Sequence, residues 1–280
     1  MTTAGFIGLG NIGRPMALRL ADLPGGLVVY DVDTAATAPL ADSGAAVAGS
    51  ITELAAKADI VCVMVRDDDQ VREVIEELLA AGRQDQVVAV HSTVHPDTAV
   101  ELATRAERHG VAVLDAPVSG GAMGAADGRL AILLGGADQA VARARPILER
   151  LGEVIVHFGP AGAGTKAKLA RNLLHFVAFT AVTEAERLAE SAGVDLEALG
   201  RVVRHTDGLT GGPGAIMLRS TTMPMVDDDP LRPIFEHVRE LGEKDLRLAI
   251  ELGDTLGVPT PLAKQAIERL AAGLGLAGDP

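Results

Sequence analysis

An α/β domain with a doubly wound, mostly parallel sheet, followed by an all-helical domain, is predicted by three observations. Short apolar runs alternate with helical stretches from the N-terminus to about residue 158, the order that builds βαβ units. A glycine-rich loop at 159–164 ends the alternation, and beyond it the periodicity is almost wholly helical. The first helix after that loop carries few breakers over 164–192, and at ~1.5 Å per residue it would span ~40 Å. Such a helix is long enough to leave the first domain and form the spine of a second. The expected division is 1–160 and 161–280, joined by the long helix itself because no flexible linker intervenes.

Composition narrows the function classes. Hydrophobic residues make up 48% of the 280 positions but aromatics only 2%, so the core is built from Ala, Val, Leu and Ile. A formal charge of −13 without a basic patch argues against nucleic acid or an anionic membrane surface as partner. The single cysteine, Cys62, sits inside an apolar run and reads as a buried strand residue, with no disulfide framework or metal cluster implied. No basic region followed by a signal-type apolar segment opens the chain. The longest apolar candidate, 169–188, is interrupted by Arg171, Asn172, His175, Glu184, Glu186 and Arg187, so no membrane span is expected. These features predict a soluble, cytoplasmic protein.

Residues 5–9 read as a short buried strand running into Gly8-Leu9-Gly10-Asn11-Ile12-Gly13. A helix over 11–22 follows, with Ile12, Met16 and Leu20 on its apolar side, and 27–30 is a second strand closed by Asp31. Strand, glycine turn, helix, strand and acid within about 30 residues is the layout of a Rossmann-type dinucleotide-binding unit. The three glycines serve a tight turn, backbone approach to pyrophosphate and close helix–strand packing. Free N–H groups at the helix start suit phosphate, which makes Gly8, Gly10, Asn11, Ile12 and Gly13 candidate cofactor residues. Asp31 is placed to bind ribose hydroxyls and to repel a 2′-phosphate, and Val32 and Asp33 follow it rather than arginine. NAD is therefore favoured, with NADP open because other loops are able to hold a phosphate.

The alternation continues with helices at 51–58, 67–81, 96–109 and 139–151 and strands at 60–65, 87–91, 111–114, 131–134 and 154–158. Ligands of such sheets bind at the strands' C-terminal ends, which gives weight to Val65-Arg66, Ser92-Thr93 and 115–121. In the helical half, Asp195 caps a helix to about 204, 206–214 reads as a glycine-rich turn, and a further helix runs through 220. An acidic loop with prolines covers 222–233, and helices at 234–256 and 261–274 finish the chain.

Lys168 and Asn172 are four apart on the long helix and share one face. A cation and an amide held there can act on one small polar ligand, although a solvated lysine and a surface amide fit the same spacing. His175 is a rival base near that face, or a packed helix histidine. The remaining histidines show no metal-ligand spacing. Asp67, Asp68 and Asp69 suit a helix N-terminus, and Asp227-Asp228-Asp229 a solvated loop. Arg219 reads as a surface arginine or as the holder of a second anionic group.

Four ordered motifs resemble the β-hydroxyacid dehydrogenase family, which includes 3-hydroxyisobutyrate dehydrogenase. They are Gly5-Phe6-Ile7-Gly8-Leu9-Gly10-Asn11-Ile12-Gly13-Arg14-Pro15-Met16-Ala17, Asp115-Ala116-Pro117-Val118-Ser119-Gly120-Gly121, the loop-and-helix stretch with Lys168 and Asn172, and Lys244-Asp245-Leu246-Arg247-Leu248-Ala249. Departures include Ile12 for a usual methionine, Arg66 where proline is common, His91 where an acid is common, and Arg171 in place of an asparagine.

The resemblance implies hydride transfer between NAD or NADP and a small hydroxy acid or its semialdehyde, with Lys168 as acid/base. Burial and a neighbouring cation, for which Lys244 is a candidate, would lower the lysine's pKa from its ordinary ~10.4. Asn172 would position the substrate, and Ser119, Gly120 and Gly121 would hold its carboxylate. Thr93 would lie near the nicotinamide ribose, Val65 and Arg66 on the adenosine side, and Lys244 against the cofactor. No metal is implied, and the apolar helical half suits a homodimer or homotetramer. Two alternatives stand beside this: an imine reductase of the same architecture, against which Lys168 argues, and a non-catalytic dinucleotide-binding module.

Overall fold

The apolar runs at the centre of the N-terminal sheet become strands buried on both faces. The computed structural model describes residues 1–81 and 83–276. Strands β1 (Ala4–Ile7), β2 (Leu27–Tyr30), β3 (Ala46–Val47), β4 (Ile60–Val63), β5 (Val87–Val90) and β6 (Ala112–Asp115) form one parallel sheet in the order β3-β2-β1-β4-β5-β6. The period-2 alternation of side chains sends Phe6, Val29, Cys62, Ala89 and Leu114 into one core. It sends Ile7, Val28, Val61, Val88 and Val113 into a second core on the other face. Burial pushes the Cys62 thiol up to about 12, so it packs as an inert apolar group.

Helices follow their capping chemistry. Helix α1 is Gly13–Leu18, η1 is a 3-10 turn at Thr34–Thr37, α2 is Ala38–Asp42, α3 is Ile51–Lys57 and α4 is Asp68–Ala80. Ser50 and Asp67 accept N–H bonds at the starts of α3 and α4. Val71, Val74, Ile75, Leu78 and Leu79 form the buried stripe of α4. Helix α5 (Pro96–Glu107) begins on its proline, whose missing N–H costs nothing at that position.

The single mostly parallel sheet expected from the sequence is corrected in one respect. Strands β7 (Val118–Ser119), β8 (Leu130–Leu134) and β9 (Gly152–His157) form a separate sheet, in which β7 and β8 are antiparallel. Helix α6 (Gly121–Asp127) links β7 to β8, and α7 (Asp138–Leu151) links β8 to β9. The two-residue strand follows Pro117 and has no apolar alternation of its own to announce it. Helix α1 is also shorter than the 11–22 expected: Asn11 and Ile12 belong to the turn, and after Leu18 the bonding tightens to i→i+3.

The chain divides into two compact units, Met1–Arg171 and Asn172–Pro280, and the long helix α8 (Ala163–Ser191) passes from one to the other. In the second unit α9 (Leu196–Thr210) runs six residues beyond the expected end, through Gly208. Thr206 and Thr210 satisfy their hydroxyls on carbonyls within the helix, and the stop is Gly211 with φ 89°. A 3-10 turn at Gly212–Gly214 (η2) follows, and no helix runs to 220. Helices α10 (Arg232–Leu256) and α11 (Pro261–Gly273) complete the unit. Glu184 accepts the N–H groups of Leu262 and Ala263, both at 2.9 Å, and so caps α11. Arg219 donates to the carbonyls of Leu274 and Met223, a structural tie within the second unit. No helix among the described residues is long and apolar enough to cross a membrane.

Candidate active site

The glycine turn between β1 and α1 owes its shape to steric need at two positions and to open space at the third. Gly8 has φ 92°, and a Cβ there would press on the Met64 carbonyl. A Cβ on Gly13 would collide with the Gly8 carbonyl. Gly10 faces nothing within 4 Å, so the protein itself does not demand a glycine there. The missing side chain leaves room for a ligand to reach the backbone. No protein acceptor takes the N–H groups of Asn11, Ile12 or Gly13 among the described residues, and such a nest of donors suits a phosphate. These residues fit a dinucleotide.

Around the turn lies a cleft of about 550 Å³ whose lining includes Gly8, Gly10, Asn11, Ile12, Gly13, Asp31, Val65 and Arg66. Asp31 takes the Leu9 N–H at 2.6 Å and the Asp33 N–H at 2.8 Å, so its carboxylate is held rigidly at the end of β2. The sequence reading missed the α4 wall, Gln70, Glu73, Val74 and Glu77; their i, i+3, i+4 spacing is a possible signal, but it coincides with the ordinary pattern of an amphipathic helix. It also missed the role of Ser92. Its hydroxyl donates to the Val65 carbonyl at 2.7 Å and accepts the Val65 N–H at 2.9 Å, pinning the cleft wall to the end of β5. Thr93, by contrast, is exposed and lies outside this lining.

A second constellation gathers at the start of α8. Lys168 is 7% exposed, and its Nζ donates to Ser119 Oγ at 3.4 Å. Burial first, and the Arg171 charge second, push the lysine down to about 8. The cation that acts on it is Arg171, one turn along the same helix; Lys244 lies exposed on α10 in the second unit, with Nζ 3.1 Å from Asp245. Gly120 and Gly121 follow Ser119 with φ 132° and 63°; the first is open to glycine alone without strain and the second favours it. Asn172 comes one turn after Lys168 on α8 and belongs to the second unit.

Two residues that the sequence reading left without a role frame this constellation. Asp115, 2% exposed, accepts the Gly162 and Thr165 N–H groups, each at 2.7 Å. His91, where an acid is common in relatives, is buried, and its Nδ1 donates to the Ala116 carbonyl at 2.8 Å. Desolvation pushes this imidazole down to about 4, so it remains a neutral donor through physiological pH. A polar residue closing an apolar strand was the available signal for both.

Two family models match successive parts of the chain. Residues 3–159 match the family model of the NAD binding domain of 6-phosphogluconate dehydrogenase. Residues 162–279 match that described as NAD-binding of NADP-dependent 3-hydroxyisobutyrate dehydrogenase. An uncharacterized oxidoreductase of Mycobacterium tuberculosis is 52% identical over 97% of this chain and 93% of its own length. The crystal structure of a putative oxidoreductase from Mycobacterium avium superposes with TM-score 0.95 at 50% identity, covering 99% of each chain. The Mycobacterium tuberculosis 3-hydroxyisobutyrate dehydrogenase structure with L-serine gives TM-score 0.67 at 35% identity, covering 97% of this chain and 93% of that one. The chain belongs to the β-hydroxyacid dehydrogenase family and is an NAD(P)-dependent oxidoreductase of the 3-hydroxyisobutyrate dehydrogenase type.

Proposed function

We propose that the protein is an NAD-dependent dehydrogenase of small 3-hydroxy acids, or a reductase of the matching semialdehydes, with Lys168 carrying the hydroxyl proton. The observation that carries this reading is the buried Lys168 beside Ser119, with Nζ 3.4 Å from Oγ and the amine pushed down to about 8. Near that pH it exchanges a proton readily in either direction, as an acid/base group must. The nicotinamide, when bound, supplies the hydride acceptor or donor. During oxidation Lys168 takes the hydroxyl proton; during reduction it returns that proton to the carbonyl oxygen.

The Ser119 hydroxyl and the N–H groups of Gly120 and Gly121 hold the substrate carboxylate, as a small nest holds an anion. Asn172 orients the substrate, Thr93 attends the nicotinamide ribose, and Lys244 contacts the cofactor. Asp31 selects NAD by its charge. In this reading residues 1–160 hold the dinucleotide, and 161–280 bring the lysine, Asn172 and the surface for a second copy. 3-Hydroxyisobutyrate, for which the relative above is named, and L-serine, which accompanies its structure, both carry a hydroxyl on the β carbon, next to the α carbon that bears the carboxylate. That shared pattern supports the 3-hydroxy acid class.

Exposed apolar residues support at least a dimer. Helices α9 and α11 bury no residue, and α8 buries only Gly164, Thr165 and Lys168. Leu173, Phe176, Phe179, Val202 and Leu209 are each more than half exposed, an apolar surface of the kind that marks an interface. Light scattering in solution tests this, and a clean monomer would reject it. The activity is tested by oxidation of a panel of 3-hydroxy acids with NAD, followed at 340 nm, for wild type and Lys168→Ala. The expected loss is ~100-fold or more; turnover that survives would remove Lys168 as the proton carrier.

A further inference from the structure

Helix α8 begins at a residue that cannot cap it. The Lys166 N–H bonds to the Gly162 carbonyl at 3.0 Å, so Gly162 holds the N-cap position and Thr165 is the third helical residue. Gly162 has φ 87°, and a Cβ there would sit 3.1 Å from both the Pro96 carbonyl oxygen and Val100 Cγ2. Serine, threonine or aspartate would be strained at the position that would ordinarily supply a cap. In a capping box two side chains satisfy the N–H groups of the N-cap and third residues reciprocally. Here Asp115 performs both tasks from elsewhere in the chain, Oδ1 taking the Gly162 N–H and Oδ2 the Thr165 N–H.

The same strand segment carries Ser119. Asp115 pairs with Gly135, the Leu133 N–H bonds to the Pro117 carbonyl, and Val118 and Ser119 pair with Ile132 and Ala131. Each step forward along 115–119 thus matches one step back along 131–135. Asp115 and Ser119 are four apart and lie on one face of the segment. Asp115 meets the beginning of α8, and Ser119 meets Lys168, three residues after Thr165. Close packing locks the pair of elements further: a Cβ on Gly164 would collide with the Leu133 carbonyl, and one on Gly135 with the Asp115 carboxylate.

We propose that Asp115 is a positioning residue for Lys168: its two bonds to the first turn of α8 set the register of that helix against strand 115–119, and so the approach of Nζ to Ser119. This deepens the reading of Lys168 as acid/base group and rests on it. The carboxylate needs no cation for this role, because the helix N-terminus supplies the complementary partial charge. His91 steadies the same segment through the Ala116 carbonyl.

The test reads Lys168 directly. The full-length protein is labelled with acetic anhydride across pH 6–11, and acetylation of Lys168 is followed by peptide mass spectrometry in wild type and Asp115→Asn, beside kcat on the substrate found from the panel. The expected wild-type midpoint lies near 8. In Asp115→Asn it moves up by at least a pH unit, toward the ordinary lysine value of about 10.4, and kcat falls at least ~10-fold through misplacement, with dinucleotide affinity unchanged. A lower melting temperature with the wild-type midpoint and kcat in the folded protein would make Asp115 a structural cap only and overturn the proposal. Should Asp115→Asn fail to fold, Thr165→Pro removes one bond, keeps the carboxylate and is tolerated in a helix's first turn; the same midpoint decides. A shifted midpoint with turnover intact would keep the positioning role and remove Lys168 from the chemistry, which separates the two readings.

Discussion

Lys168 Nζ stands 3.4 Å from Ser119 Oγ, and the lysine is 7% exposed. Both facts act on the proton. Burial disfavours the ammonium more than the neutral amine, and Arg171 adds like-charge repulsion. The hydroxyl offers only a neutral acceptor in return, so the lysine stays depressed to about 8.

That value bears on the pH dependence of kcat/KM, which reports groups of the free enzyme. Oxidation needs the neutral amine as base, so kcat/KM should rise with pH and level off above about 8. Reduction needs the ammonium and should fall over the same range. Arg171→Gln removes the smaller of the two causes and should move both midpoints upward. Stopped-flow or steady-state pH profiles in each direction check this, and parallel profiles for oxidation and reduction would contradict it.

A buried ammonium also weakens the fold. The native lysine binds its proton less tightly than the unfolded chain does, so the unfolded state holds more protons between about 8 and the free value of 10.5. Wild-type stability should therefore rise with pH across that window and stay at its lower level below it. Lys168→Met, which removes the charge and keeps the length, should stabilise the protein by about 1–3 kcal/mol at pH 7 while abolishing activity. Urea titrations at pH 7 and pH 10 measure this; the difference between variant and wild type should shrink at the higher pH.

The glycines of the first turn separate folding from binding. Gly13→Ala drives a methyl group into the Gly8 carbonyl and should cost about 1–3 kcal/mol, as overpacking does. Gly10→Ala meets no protein atom within 4 Å, so melting temperature should hold while dinucleotide affinity falls, because the methyl group occupies the approach to the backbone. Thermal melts and fluorescence titration with NAD distinguish the two. Equal loss of stability in both variants would refute the steric account.

Legibility of the fold and site followed the range of the interactions. Gly8, Gly13 and Asp31 were readable because their constraints arise within one strand–turn–helix–strand unit. Arg171 escaped notice as the cation beside Lys168 because it was weighed only as a departure from a family pattern, although three-residue spacing puts it on the adjoining turn. Asp115 was placed at a strand end but given no task, since Gly162 and Thr165 lie far along the chain and a backbone N–H leaves no mark in sequence. Strand β7 was invisible because a two-residue strand after Pro117 has no periodicity to detect. Gly208 suggested a turn, yet its cost in a helix is only about 1 kcal/mol, which the surrounding helix absorbs until Gly211 ends it.

Cofactor choice gives the last prediction. Asp31 lines the cleft with both oxygens fixed by backbone N–H groups, so its charge cannot swing away from an incoming phosphate. Like charges ~5 Å apart at an effective dielectric of 20 repel by about 3 kcal/mol, which corresponds to ~100-fold in binding. Glu73 and Glu77 also line the cleft and add to the same field, while the Arg66 guanidinium is paired with Asp67 at 2.8 Å. Wild type should prefer NAD over NADP by ~10–100-fold in kcat/KM. Asp31→Ser should narrow that ratio mainly by improving NADP, and should weaken the fold modestly because the Leu9 and Asp33 N–H groups lose a charged acceptor. Measured kcat/KM values for the two cofactors, taken at two salt concentrations, check the electrostatic origin: the preference should shrink at higher salt, and a preference indifferent to both salt and Asp31→Ser would place the discrimination elsewhere in the cleft.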